Sequence, residues 1–346
     1  MIWLIILVIL APILYVAGFI LDRGSPPKSK PEKWGNFLRF LSYVLFAVIL
    51  IILLIGAGFA LVHTKAPPLA REPFVHEVQA FILPISQATY LPTRNYDVPD
   101  PDIQARAATV IDVRSGRILY SKNADRRLPI ASITKLMTAL VVLDRLDLDG
   151  IYTVSAEDLN LDGLGADFAK GEQLTGRDLL KIMLIKSSND ATSVFNSAAQ
   201  SRGMDLIGFM NMKARQLGMY DTHFGDPAGL DDGATYSTAQ DLVQLLAAVR
   251  KSTELTRILA EKSVDVASID RRYNHHVITT NQLLGKIPGI IIGKTGNTAG
   301  ALGTMTLVVK VGDGSNELIV VVLGSNDRFG ETAKLVDWAQ QAYKWQ

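Results

Sequence analysis

Leu128-Pro129-Ile130-Ala131-Ser132-Ile133-Thr134-Lys135-Leu136-Met137-Thr138 is the stretch on which the reading of this chain turns. Leu136, Leu140 and Leu143 recur at i, i+4 and i+7, the spacing of one helix face, so a helix is expected from Ser132 onward. Residues three apart on a helix share a side, which brings the Lys135 amine within reach of the Ser132 hydroxyl. A serine needs a base before it can attack an acyl carbon. Lysine supplies one when burial and neighbouring positive charge lower its pKa. At the helix start the Ser132 backbone N–H also falls among the unpaired donors of the first turn, which can stabilise an oxyanion.

Outward from that helix the pattern changes on both sides. Ala107 to Val113, the turn Arg114-Ser115-Gly116, and Arg117 to Ser121 read as a β-hairpin. Ile290 to Lys294, Thr304 to Val311 and Glu317 to Leu323 read as strands, the last two joined by Gly312-Asp313-Gly314. Helices are expected at Thr175 to Lys186 and Ser237 to Arg250, where Thr175 with Asp178 and Ser237 with Gln240 have capping-box spacing. A last helix is read from Thr332 to Tyr343. Strands from both ends around a helical centre predict an α/β (α+β) fold with one sheet built from the two termini and helices packed on it.

Ile2 to Leu21 and Phe40 to Val62 are runs of 20 and 23 residues without a charge, each long enough to span a bilayer as a helix. The intervening loop carries Arg23, Lys28, Lys30, Lys33 and Arg39 against Asp22 and Glu32, which makes it the cytoplasmic side. The chain opens Met1-Ile2-Trp3 without a basic n-region, so the first span is read as retained and not as a cleaved signal. Residues 1–63 are thus expected to form a transmembrane hairpin, with everything after it extracytoplasmic. Residues 64–103, rich in proline, are expected to be a linker. Residues 104–346 are expected to be the catalytic domain, with no second globular domain after the last helix.

The chain's 35 basic and 34 acidic side chains leave a net charge of +1, too little field to hold nucleic acid. It has no cysteine, which excludes disulfides, thiol nucleophiles and thiolate metal sites. The five histidines show no His-Glu-x-x-His spacing, adjacent His275 and His276 read as a solvated loop pair, and there is no Gly-x-Ser-x-Gly elbow. Neither a metal nor a cofactor is expected.

A Ser-x-x-Lys arises by chance about once or twice in a chain this long, and Ser25-Pro26-Pro27-Lys28 is a second match. Two further groups give the first match its weight. In Ser187-Ser188-Asn189 the Ser187 hydroxyl can relay a proton and the Asn189 amide can hold a substrate amide. Lys294-Thr295-Gly296 ends an apolar strand, where Lys294 and Thr295 point to opposite sides and Gly296 lets another backbone come close. Such a strand can accept an extended peptide at its edge and bind a carboxylate.

Those three motifs in that order resemble the penicillin-recognising serine acyl transferases. Leu128 to Thr138, Ser187-Ser188-Asn189-Asp190-Ala191, Gly293-Lys294-Thr295-Gly296, Gly229-Leu230, Ser237-Thr238-Ala239 and Asp241 are similar to the low-molecular-mass D-Ala-D-Ala carboxypeptidases. The resemblance implies a β-lactamase/transpeptidase-like antiparallel sheet with helices on both faces. It implies Ser132 as nucleophile, Lys135 as base and Ser187 as proton relay, with Asn189, Lys294, Thr295 and Gly296 holding substrate. The backbone N–H groups of Ser132 and Asn297 would form the oxyanion hole. The implied substrate is a peptidoglycan stem peptide ending in D-Ala-D-Ala, with β-lactams as covalent inhibitors. The chain is expected to depart from the pattern in lacking the usual accessory β-domain, and it carries Glu317 where many relatives have a basic residue entering the last strand.

A class A β-lactamase would need a deacylating glutamate, but between Asn189 and Lys294 only Glu254 and Glu261 occur, neither with an asparagine four residues on. A D,D-endopeptidase uses the same residues on cross-linked peptide. A non-catalytic wall-peptide sensor would have only about 18 cytoplasmic residues for its output, too few to fold.

Overall fold

Strands from early and late in the described residues share one sheet. The computed structural model describes residues 91–159, 163–231 and 233–345. In chain order its first half contains β1 (Thr93–Arg94), β2 (Ala107–Asp112), β3 (Ile118–Lys122), α1 (Thr134–Arg145), β4 (Ile151–Thr153), β5 (Gln173–Thr175), α2 (Gly176–Ile185) and α3 (Asn189–Ser201). The second half adds α4 (Leu206–Gln216), α5 (Ala239–Arg250), α6 (Thr253–Leu259), β6 (Ser263–Ala267) and β7 (Asn274–Ile278). It closes with β8 (Ile290–Thr298), β9 (Leu302–Val311), β10 (Asn316–Ser325), α7 (Arg328–Ala342) and β11 (Tyr343–Lys344).

The central sheet is antiparallel throughout, in the order β3-β2-β10-β9-β8, so β8 is an edge strand. β10 explains the layering. Leu318, Val320 and Val322 face the core under α7, with Leu335, Val336 and Ala339, while Ile319, Val321 and Leu323 face the core of the helical layer. Side chains alternate along a strand, and here both faces are covered, so the strand reads Leu-Ile-Val-Val-Val-Leu without a polar break. α1 runs through the helical layer, and every residue from Thr134 to Val142 is buried, which is why its sequence is apolar on more than one side.

Caps set the element boundaries. Thr175 caps α2 as expected, accepting from the Asp178 N–H at 3.1 Å. α5 is capped by Thr238, not Ser237, because the Ser237 backbone is already paired with Leu128 in a β-bridge. α7 starts at Arg328, four residues before the expected Thr332, with Asp327 accepting from the Gly330 N–H. His275 and His276 lie on β7, not in a solvated loop. His275 bonds Glu172, whose side chain is fully buried.

Residues 93–103, read as the end of the linker, lie against the α7 side of the domain. β1 pairs with β11, Trp338 Nε1 donates to Pro99 O at 2.9 Å, and Ile103 is buried. The expected spans at 2–21 and 40–62, and linker residues 64–90, fall outside the described residues. No helix among the described residues is long and apolar enough to cross a membrane.

Candidate active site

Ser132 sits in a tight turn of 3-10 helix, Ala131–Ile133, and α1 proper begins two residues later than the sequence suggests. Between Ile130 and Val142 it is the one residue that is not buried. The preceding Ala131 has φ +49°, a conformation L-residues adopt at a cost and retain where surrounding contacts enforce it. Two glycines supply that enforcement. A Cβ on Gly229, itself at φ +80°, would stand 2.0 Å from Ala131 O, and one on Gly296 would stand 2.9 Å from both Ile130 O and the Ala131 Cβ. The turn is therefore held between the Gly229 loop and the cleft end of β8.

Lys135 is fully buried, and its Nζ lies 2.9 Å from Ser132 Oγ, 2.7 Å from Asn189 Oδ1 and 2.7 Å from Ala228 O. The last two are carbonyl oxygens, which can only accept. In a neutral amine they take the two N–H bonds, which leaves the lone pair for the Ser132 hydroxyl proton. Burial pushes the Lys135 pKa down to about 7, against an opposing pull from the Asp226 carboxylate. Asp226 also accepts from the N–H groups of Ala228, Gly229 and Leu230, so it fixes the loop that presents Ala228 O. The sequence reading missed Asp226. Its signal was Asp226-Pro227-Ala228-Gly229, a turn whose first side chain bonds its own following backbone.

Ser187, between α2 and α3, has φ +64°, and its Oγ accepts from Lys294 Nζ at 2.7 Å. Lys294 is also buried and donates to Thr295 O at 2.9 Å. Burial, then the charges of Lys135 and Arg328, hold its pKa well below the ordinary lysine range. Lys294 and Thr295 diverge as alternation on a strand requires, the first to Ser187 and the second to Thr280, whose Oγ1 is 2.6 Å from Thr295 Oγ1. Asn189 starts α3 behind the cap Ser188, and its N–H donates to Leu164 O at 2.7 Å.

Asn297, one residue past Gly296, accepts at Oδ1 from Arg328 Nη1 at 3.1 Å. Arg328 is the second residue that sequence reading missed, because it belongs to no motif and reaches the cleft only through the pairing of β8, β9 and β10. Its Nε is buried with no partner, and burial lowers its pKa. A buried guanidinium N–H without a partner, on a side chain bonded to Asn297, leaves a charged donor at the end of β8. Glu317 lies at the other end of β10, bonded to Arg250, so it does not touch the site. Glu254 pairs with Arg177 and Arg257, and Glu261 with Arg257, so neither faces Ser132 as a base.

All eight residues singled out from sequence thus meet at one cleft: Ser132, Lys135 and Asn189 around one amine, Ser187 with Lys294, and Thr295 to Asn297 along the β8 edge. Comparison with known proteins places the same region in one family. The family model for D-alanyl-D-alanine carboxypeptidase matches residues 94–327. D-alanyl-D-alanine carboxypeptidase DacF of Bacillus subtilis is 29% identical, with 70% of this chain and 63% of that protein's length aligned. The D-alanyl-D-alanine endopeptidase of Pseudomonas aeruginosa is 32% identical over 69% of this chain and 78% of its own length. Among solved structures, the Streptomyces K15 DD-transpeptidase superposes with a TM-score of 0.65 at 27% identity, covering 70% of this chain and 98% of that one.

Proposed function

Because this chain belongs to the D-alanyl-D-alanine carboxypeptidase family of serine peptidases, we propose that it removes the terminal D-alanine from peptidoglycan stem peptides through an acyl-enzyme on Ser132. The observation that carries this reading is the buried Lys135 amine, 2.9 Å from Ser132 Oγ and 2.7 Å from both Asn189 Oδ1 and Ala228 O, so that once neutral it spends its two N–H bonds on the two carbonyls and keeps its lone pair for the Ser132 proton. As Ser132 Oγ bonds to the carbonyl carbon of the penultimate D-alanine, its proton passes to Lys135. The backbone N–H groups of Ser132 and Asn297 take the oxyanion. The C–N bond then breaks as Ser187 hands its proton to the leaving amine and is reprotonated with the proton Lys135 took from Ser132, which returns Lys135 to its neutral form, and water later hydrolyses the ester. Lys294 keeps Ser187 oriented, Asn189 holds the peptide amide, Gly296 lets the peptide backbone approach, and Thr295 with Arg328 receives the terminal carboxylate.

The alternative is a D,D-endopeptidase, which uses the same residues on cross-linked peptide and whose name the Pseudomonas aeruginosa relative carries. β-Lactams would stop the reaction at the acyl stage. We further propose that the domain works outside a bacterial cytoplasmic membrane on the hairpin of residues 1–63, a reading supported by the two uncharged runs and the basic loop between them.

The test is to incubate the full chain with benzylpenicillin beside Ser132→Ala and record intact masses. One penicilloyl adduct on the parent and none on the variant is expected, followed by D-alanine release from defined muropeptides. Folded parent that takes no adduct would sink the proposal. Cleavage of cross-linked dimers without release of terminal D-alanine would turn it to the endopeptidase.

A further inference from the structure

The segment between β7 and β8 belongs to none of the motifs, yet it touches the site at Thr280. Thr280 Oγ1 and Thr295 Oγ1 are 2.6 Å apart, and either hydroxyl can donate. Thr280 is not a loosely placed surface side chain. Its N–H donates to Ile185 O at the end of α2, two residues before Ser187, at 3.1 Å. The residue before it, Thr279, donates its N–H to Lys262 O at 2.9 Å. The residue after it, Asn281, is buried, accepts from the Leu283 N–H at 3.0 Å, and lays its amide against β8 at Gly293. A Cβ at Gly293 would stand 2.0 Å from Asn281 Nδ2, so glycine is needed there for the segment to dock. Thr280 is thereby fixed to the two elements that carry Ser187 and Thr295.

We propose that Thr280 is a positioning residue for recognition of the substrate's terminal carboxylate, donating its hydroxyl proton to Thr295 Oγ1 so that Thr295 turns its own proton toward the carboxylate. The proposal rests on the reading of Ser132 as an acylating serine on carboxylate-bearing substrates. Each hydroxyl has one proton to give. With Thr295 donating to Thr280, nothing is left for a ligand. With the bond reversed, Thr295 is a donor to the cleft, and an arriving anion selects that direction because two bonds in series polarise each other and the one to the anion is charge-assisted. A ligand whose carboxylate is esterified gains much less from the reversal.

The experiment measures acylation of the full chain by benzylpenicillin and by its methyl ester, in the parent, Thr280→Val, Thr280→Ser and Thr295→Val, and in the Thr280→Val, Thr295→Val double variant. The parent's preference for the acid over the ester is expected to fall about fivefold in Thr280→Val, to survive in Thr280→Ser, and to fall no further in the double variant than in Thr295→Val alone. Equal loss on acid and ester would make Thr280 a merely structural contact and overturn the proposal, as would an unchanged preference. If Thr280→Val melts far below the parent, Thr280→Ala carries the same comparison. A parent that is not acylated at Ser132 at all defeats the functional reading and this proposal with it, whereas an acylated parent with no acid-specific loss defeats the proposal alone.

Discussion

Lys294 Nζ lies 2.7 Å from Ser187 Oγ although 107 residues separate the two in sequence. The contact closes the cleft: Lys294 comes from the edge strand β8 and Ser187 from the junction of α2 and α3. Both lysines of the site are therefore buried together, and the Lys135 charge adds to burial in lowering the Lys294 pKa. Two buried amines and an Arg328 Nε without a partner leave the site rich in hydrogen-bond donors.

Acylation should rise with pH through a limb centred near 7. Lys135 acts as a base only when neutral, and burial lowers its pKa to about 7. The stability effect has the same sign. In the folded state Lys135 gives up its proton near 7, whereas the unfolded chain keeps it to about 10.4, so unfolded chains bind more protons between those values and stability rises with pH there. Benzylpenicillin acylation rates from pH 5 to 9 check the limb. A rate flat across pH 6 to 8 would exclude Lys135 as the base, and Lys135→Ala should acylate about 100- to 10,000-fold more slowly.

Gly229→Ala should cost about 2–4 kcal/mol and abolish acylation, because its Cβ would strike Ala131 O, displace the turn that carries Ser132, and force an L-residue to φ +80°. Gly218→Ala separates the two effects. Gly218 also has positive φ, +76°, but nothing lies within 4 Å of its Cβ position, so only about 1 kcal/mol is lost and acylation stays. Urea midpoints with acylation rates for both variants decide it, and equal losses would show that the clash with Ala131 plays no part.

Glu172→Ala should destabilise by about 2–4 kcal/mol and slow acylation together. The buried carboxylate accepts from His275 Nε2 at 2.6 Å and from the Ala169 N–H at 2.9 Å. It thus ties β7 to the loop whose Leu164 O receives the Asn189 N–H and whose Ala166 N–H donates to Asp190. Asn189 in turn holds the Lys135 amine. A denaturant titration showing the stability loss with an unchanged acylation rate would cut that link between loop and base.

The parts legible without coordinates are those set by neighbours in the chain. Ser132 and Lys135 are three residues apart on one helical turn, the Thr175 cap meets its Asp178 N–H within that same turn, and the alternating faces of β10 follow from strand geometry. Where a local reading slipped, a long-range contact had claimed the group. Ser237 lost the helix cap because its backbone bridges to Leu128, and His275 left the solvent because Glu172 holds it.

Sequence by itself determined the family, through three short motifs whose order and context resemble its members, and offered Ser132, Lys135 and Ser187 as the candidates for nucleophile, base and relay. Only the tertiary structure decided how those groups are tuned. The lowered Lys135 pKa follows from its complete burial, the Lys294–Ser187 contact from the docking of β8 on the helical layer, and the arrival of Arg328, Asp226 and Thr280 from strand pairing and loop packing. The reason is physical. A motif specifies which atoms are present, whereas desolvation and hydrogen-bond direction depend on what surrounds them, and for the two lysines those surroundings come from residues 54 to 107 positions away.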